Sequence, residues 1–143
     1  MKLIALSEES MALSSQLLAY CLKGEVMAFS FEDLKVYQKA LDFTVTVIDI
    51  VEEMDTPRKH YKLIDQLESS SSSVALNISE GKGRYSKKEF KHFLYISRGS
   101  LYETVTMLQI FLKKKWLGKE TYERIYSDAQ EINKMLSGLI NSL

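Results

Sequence analysis

Residues 119–143, KETYERIYSDAQEINKMLSGLINSL, carry the clearest structural signal in the chain. Their apolar side chains recur every three or four residues, which is the spacing of one face of an amphipathic α-helix. This pattern predicts a long helix that buries one stripe and exposes its other side. The stripe consists of Tyr122, Ile125, Ala129, Ile132, Leu136, Leu139 and Leu143.

The preceding segment, up to about residue 115, predicts a second helix of the same kind. Ser86 and Glu89 have the spacing of a capping box, in which each side chain satisfies a free backbone N–H at the helix start. Three lysines at residues 113–115 suit the negative end of the helix dipole. The predicted core stripe is Phe90, Phe93, Leu94, Ser97, Leu101, Val105, Leu108 and Phe111.

Two more long helices are predicted at residues 31–54, ahead of Pro57, and at residues 61–80, with Gly81 as the left-handed residue after the helix. A shorter helix is predicted at residues 7–22. Four long helices with short connections predict an all-α fold, an antiparallel up-and-down four-helix bundle of residues 29–143. Residues 1–28 are expected to form a partly helical N-terminal extension that contains the extra short helix.

The five consecutive serines at residues 69–73 have two interpretations. They are either a flexible linker or the middle of a helix whose small side chains let a neighbouring backbone come close. Val74 and Ile78 continue the helical spacing of Ile64 and Leu67 across the run, which favours the helix.

The predicted helix at residues 31–54 carries too much apolar surface for a lone bundle. Leu34, Tyr37, Leu41, Val45 and Ile48 form one stripe, and Val36, Ala40, Phe43, Val47, Ile50, Val51 and Met54 form another. A surface helix needs only one apolar arc, so the surplus must be covered by the N-terminal helix or by another subunit. We expect a homo-oligomer, with the interface residues Val36, Ala40, Phe43, Val47, Val51, Ile96, Gly99, Met107 and Ile110.

The charged residues are unevenly distributed, although the formal net charge of the chain is zero. Residues 82–119 hold ten basic and two acidic residues, a net charge of +8, whereas the remainder holds nine basic and 17 acidic residues, a net charge of −8. Basic side chains interleaved with aromatic rings neutralise phosphates and stack on unpaired bases, but a solvated lysine face would have the same pattern. The predicted nucleic-acid-binding residues are Lys82, Arg84, Lys87, Lys88, Lys91, Tyr95 and Arg98.

A polar set is predicted near the junction of the two middle helices. Asn77 and Glu80 are three residues apart and share a helix face. Arg98 is expected to pair with Glu80 or with an acid on a neighbouring subunit. The expected role of Asn77, Glu80, Ser100 and Glu103 is structural, because buried polar groups are normally paired and fix the packing register.

Motifs for catalysis are missing from the sequence. The two histidines and the single cysteine have no metal-ligand spacing, and there is no glycine-rich phosphate loop or activated nucleophile. We therefore expect no enzyme activity, no cofactor and no metal. No apolar run is long enough for a membrane span, and acidic residues interrupt the N-terminal apolar region, which indicates a cytoplasmic protein.

Several segments resemble the four-helix-bundle proteins encoded in intervening sequences of bacterial 23S ribosomal RNA genes. The matching segments are FEDLKVYQKA at 31–40, QL at 66–67, SVALNISEG at 73–81, EF at 89–90 and RGSLYE at 98–103. The resemblance implies a bundle that assembles into a ring, typically a pentamer. It also implies similarity to the accessory proteins of diversity-generating retroelements, which bind nucleic acid and a reverse transcriptase. Glu68 and Ser69 stand where the family often has arginines.

Together these observations predict a homo-oligomer that binds RNA or single-stranded DNA, as an accessory factor of a reverse transcriptase. The alternative is a protein-interaction scaffold without nucleic-acid binding. In that case the +8 segment would dock on an acidic partner or on the −8 remainder of a sister subunit.

Overall fold

The computed structural model describes residues 29–54 and 60–143, and this part of the chain is an all-α four-helix bundle. The helices are α1 (Lys35–Glu53), α2 (Tyr61–Lys82), α3 (Lys87–Lys113) and α4 (Lys119–Ser142). Each helix packs against the next one, and α1 also packs against α4 to close the bundle. None of these helices is long and apolar enough to cross a membrane. The helix predicted at residues 7–22 lies outside the described residues.

The side-chain contacts between α2 and α3 establish that these helices are antiparallel. Thr104 Oγ1 donates to Ser70 Oγ at 3.0 Å, and the hydroxyls of Ser73 and Ser100 lie 2.9 Å apart. Ser97 Oγ donates to the carbonyl oxygen of Val74 at 2.8 Å. Rising residue numbers on α2 therefore pair with falling numbers on α3, as an up-and-down bundle requires.

The serine run lies in the middle of α2, which confirms the helical interpretation. Ser70 and Ser71 are buried, and the carbonyl oxygen of Ser71 accepts a hydrogen bond from Thr44 of α1 at 2.9 Å. The small side chains thus let α2 pack closely against both neighbours. Every buried side-chain nitrogen or oxygen in the described residues has a hydrogen-bond partner, so these hydroxyls carry no unpaired polar group into the core.

The predicted helix ends are correct for α3 and α4 and need correction for α1 and α2. Ser86 caps α3 with the predicted box. Helix α1 begins at Lys35 because residues 30–33 form turns. Helix α2 continues through Gly81 to Lys82, so the prediction that Gly81 follows the helix is wrong. Gly81 is buried, and a Cβ atom added to it would lie 2.5 Å from Cβ of Phe93, so its small size permits close packing.

The core contradicts most of the predicted oligomer interface. Val36, Ala40, Phe43 and Val47 are at most 5% exposed, and Met107 is also 5% exposed. These side chains are buried by their own chain and have no surface left for a partner. Val51 packs at the edge of the same core, whereas Ile96, Gly99 and Ile110 remain exposed.

In the other apolar stripe of α1, Leu41 and Val45 face outward, whereas Leu34 and Tyr37 pack at the edge of the core. Leu41 is 46% exposed and Val45 is 51% exposed. The helical wheel alone could not assign the two stripes, because both are apolar and only the positions of α2 and α4 decide which one is inside. The prediction of surplus apolar surface on this helix is correct, and its assignment to the Phe43 side is wrong.

Candidate nucleic-acid interface

The start of α3 positions the basic side chains. Ser86 Oγ accepts a hydrogen bond from the backbone N–H of Glu89 at 3.2 Å, and Glu89 Oε2 accepts from the N–H of Ser86 at 3.3 Å. The cap fixes the first turn of α3, and it engages Glu89, the one acidic side chain in that turn, in hydrogen bonds. Lys87 and Lys88 are left exposed beside this turn.

The connection between α2 and α3 brings two further cations to the same end of the bundle. Lys82 Nζ lies 5.7 Å from the centroid of the Phe90 ring, and the guanidinium of Arg84 lies 4.7 Å from that of Phe93. Contacts of this kind contribute about 0.5–1 kcal/mol at exposed sites, so they hold both cations near the surface of α3. Arg84 also forms an ion pair with Glu80.

Farther along α3, Lys91 is followed by Tyr95 and Arg98 on one line of the helix. The guanidinium of Arg98 lies 4.9 Å from the centroid of the Tyr95 ring, which is the geometry of a cation–π contact. Tyr95 is 47% exposed, so its ring is accessible from solvent. We call the seven predicted residues the basic face: Lys82, Arg84, Lys87, Lys88, Lys91, Tyr95 and Arg98.

The electrostatic character of the basic face follows from its few acidic neighbours. Among the described residues, no ion pair engages Lys87, Lys88, Lys91 or Arg98. By contrast, Lys39 on α1 lies 2.7 Å from Glu131 and 3.6 Å from Asp128 of α4, and the hydrogen bond with Glu131 raises the pKa of Lys39. These four cations of the basic face thus keep their charge available for an external anion, whereas Arg84 is paired with Glu80.

Tyr85 was missed in the sequence-based prediction of the site. Its side chain is fully exposed in the turn between Arg84 and the cap at Ser86. The sequence does show a tyrosine within a basic turn, which is a pattern typical of a nucleic-acid-binding site. Only the structure shows that this side chain is exposed and does not belong to the core.

The predicted polar set is divided among three separate contacts. Asn77 Nδ2 donates to Ser73 Oγ at 2.9 Å, and Ser73 contacts Ser100, so Asn77 and Ser100 join the seam between α2 and α3. Gln66 Nε2 donates to Glu103 at 2.9 Å. Glu80 pairs with Arg84 and not with Arg98, which corrects the expected pairing within the chain.

The described residues contain no group of three or more histidine, cysteine, aspartate or glutamate side chains that could hold a metal ion. A groove between α3 and α4 has a volume of about 270 Å³. Its polar lining comes from tyrosine, threonine and amide side chains, with no charged residue among them.

The comparisons with known proteins agree with this architecture. A crystal structure of a Bacteroides thetaiotaomicron protein, described as having unknown function and coming from the S23 ribosomal protein family, has a TM-score of 0.68 and 28% sequence identity. The match covers 73% of this chain and 97% of that one. No protein with a curated functional description matches significantly. Residues 32–138, three quarters of the sequence, match the family profile, so the chain belongs to the family of 23S rRNA-intervening sequence proteins.

Proposed function

We propose that this protein is a non-enzymatic homo-oligomer that binds single-stranded nucleic acid through its basic face. The observation that carries the proposal is the solvent-accessible group Lys87, Lys88 and Lys91, which lacks ion pairs among the described residues. Each lysine that contacts a phosphate releases condensed counterions, and this release drives binding without regard to sequence.

The aromatic residues around these lysines support a single strand as the ligand. Tyr85 is fully exposed and Tyr95 is 47% exposed, while Arg98 lies against the Tyr95 ring. Exposed rings stack on unpaired bases, with about 1–3 kcal/mol per base lost when such a ring is removed. In a double helix the base faces are already stacked on one another, so these rings favour RNA or DNA that is unpaired.

Exposed apolar side chains on three helices support assembly. Leu41 and Val45 on α1, Leu76 on α2, and Ile96 and Ile110 on α3 are each between 38% and 63% exposed. A second copy of the chain would remove this surface from water. The family resemblance implies a ring of five copies, and repeated basic faces would bind one strand with higher avidity than a single face does.

The same resemblance supports a role as accessory factor of a diversity-generating reverse transcriptase. In this role the oligomer would hold the RNA template or the new DNA strand for the polymerase. Copurification with a reverse transcriptase expressed in the same cell, in a form that survives nuclease treatment, tests this part of the proposal separately from strand binding.

The test of strand binding uses fluorescence anisotropy with a labelled single-stranded RNA of mixed sequence. The variant carrying Lys87→Glu and Lys91→Glu should bind on the order of tenfold or more weakly, because two phosphate contacts become repulsive. The matched control carries Lys62→Glu and Lys119→Glu, which change the net charge equally on the first turns of α2 and α4. Circular dichroism verifies that both variants keep their helices.

Equal losses in the two variants would mean that total charge, and not the basic face, governs binding. No binding by the unmodified protein, together with assembly that is insensitive to salt, would favour the alternative protein-interaction scaffold. The +8 segment would then dock on an acidic partner or on the −8 remainder of a sister subunit.

A further inference from the structure

The groove between α3 and α4 has the size and the lining of a site for one planar ring. Its volume of about 270 Å³ lies just below the range of about 300–1,000 Å³ that is typical of pockets for drug-sized ligands. Leu101 and Ala129, both at most 2% exposed, form an apolar floor between the two helices. Such a floor accepts the face or edge of an aromatic heterocycle.

The polar groups at the groove are neutral and point to hydrogen bonding with such a ring. The hydroxyl of Tyr102 donates to Asn133 Oδ1 at 3.2 Å, which leaves Asn133 Nδ2 as a donor. Gln109 and Gln130 also line the groove, are exposed, and make no side-chain hydrogen bond within the described part of the chain. An amide offers a donor and an acceptor side by side, the complement of one edge of a base.

The groove also has an aromatic wall on α4. The Tyr126 ring stacks on Tyr122, with a centroid distance of 5.5 Å and an interplanar angle of 23°. Because Tyr122 covers one face of the Tyr126 ring, a planar group could stack only on the other face. Base–aromatic stacking of this kind is a general means of holding an unpaired base.

The groove continues the basic face along α3. One line of side chains, spaced by three or four residues and lying at least partly in solvent throughout, runs from the helix start to the groove. At 1.5 Å per residue this line is about 33 Å long, enough for several nucleotides of an extended strand. It consists of Lys87, Lys91, Tyr95, Arg98, Tyr102, Thr106 and Gln109.

We infer that this groove binds one unpaired adenine base of the strand whose phosphates the basic face holds, an inference that rests on the proposed function. In the major groove of duplex DNA, Asn and Gln pair with adenine through N6 and N7, whereas guanine is read mainly by Arg or Lys and cytosine by Glu or Asp. The same edge of adenine is accessible in an unpaired base. The groove contains amides and no charged side chain. Gln130 and Asn133 would read the base edge, and Tyr126 would stack on its face.

The test compares labelled oligoadenylate with oligouridylate of equal length, using the 143-residue chain. The unmodified protein should bind oligoadenylate on the order of tenfold more tightly, the discrimination that one two-point amide contact gives. The variant with Gln130→Ala and Asn133→Ala should lose this preference and bind oligouridylate as before. The matched control, Gln38→Ala with Asn141→Ala, removes one exposed glutamine and one exposed asparagine outside the groove and should keep the preference.

The possible failures are distinguishable. If both oligonucleotides bind equally and the groove variant changes nothing, the adenine site is wrong and the proposed function stands. If neither oligonucleotide binds, the proposed function fails, and the inference fails with it. Adenosine monophosphate is the second probe. If it displaced oligoadenylate when both were supplied at the same concentration of adenine, the groove would be a pocket for a mononucleotide. That result would overturn the assignment to a strand.

Discussion

Gly81 of α2 faces Phe93 of α3 so closely that a Cβ atom added to the glycine would lie 2.5 Å from Cβ of the phenylalanine. A real side chain does not tolerate this distance, and the neighbouring atom belongs to the stem of Phe93 and not to a flexible tip. Gly81→Ala should therefore lower the free energy of unfolding by about 1–3 kcal/mol, as overpacking of a core does. Urea denaturation followed by circular dichroism measures the change.

The control for this variant is Gly138→Ala in α4. Nothing lies within 4 Å of a Cβ atom built on Gly138, so the alanine should raise the free energy of unfolding by roughly 0.5–1 kcal/mol through helix propensity alone. Changes of the same sign in both variants would show that close packing at Gly81 is not the cause.

The cap of α3 supplies the second prediction. Ser86→Ala removes the oxygen that accepts from the N–H of Glu89 and should cost about 1 kcal/mol of stability. Ser86→Thr keeps a hydroxyl that can accept from the N–H of Glu89 and donate to its carboxylate, and it should restore most of the loss. Ser127→Ala, at an exposed serine within α4, serves as the control and should be neutral or slightly stabilising. A loss at Ser86 that threonine does not rescue would contradict the capping role.

The sequence predicted those parts of the fold that depend on local patterns. The stripe from Ile125 to Leu136 and the capping box at Ser86 are both signals within one helix, and both are present in the structure. The roles of Gly81 and Phe43 depend on which surface of a neighbouring helix lies opposite. That relationship between helices is absent from the pattern of either one, so both residues were assigned to the wrong environment.

For the candidate site too, the sequence predicted the part that lies on one helix and missed the part that lies between two helices. The basic face follows from residue type and helical spacing, which the sequence states directly. The groove requires Tyr102 of α3 to meet Asn133 of α4, and this register is set by core packing between residues that are far apart in the chain. The spacing of polar residues on α4 alone gives no indication of it.

A lysine with unusual backbone geometry at the end of α3 gives the third prediction. Lys115 has a φ angle of 59°, in the left-handed region that favours glycine. Lys115→Gly should raise the free energy of unfolding by roughly 0.5–1 kcal/mol, because it relieves a conformation that side chains disfavour. Lys114→Gly removes the same charge next to it at a φ angle of −77°, and it should lower stability by a similar amount. If the two variants behaved alike, charge and not φ would be responsible.

The proposed binding of RNA gives the fourth prediction, through its dependence on salt. For a single strand, the slope of log binding constant against log salt concentration is about −0.7 for each phosphate contacted. The variant with Lys87→Glu and Lys91→Glu loses two contacts, so its slope should be shallower by about 1.4. Anisotropy titrations at several salt concentrations measure both slopes. An unchanged slope with weaker binding would mean that these lysines support the fold and do not contact phosphates.

The proposed oligomer gives the last prediction, which separates the exposed apolar side chains of α1 from its buried ones. Leu41→Glu with Val45→Glu places charge on exposed positions and should dissociate the assembly without unfolding the chain. Lys35→Glu changes the net charge by the same amount at an exposed position of α1 that lies on a different side of the helix, and it should leave the mass unchanged. Light scattering at micromolar concentration gives the mass in each case.

The buried stripe should respond in the opposite way. Phe43→Ala removes a side chain that is 2% exposed, so it should cost about 3–5 kcal/mol of stability whether or not subunits associate. If the unmodified protein scattered light as a single chain, Leu41 and Val45 would be ordinary exposed residues. If Phe43→Ala dissociated the oligomer while each chain stayed folded, Phe43 would contact a partner subunit in the unmodified protein. That result would contradict its burial in the core of its own chain.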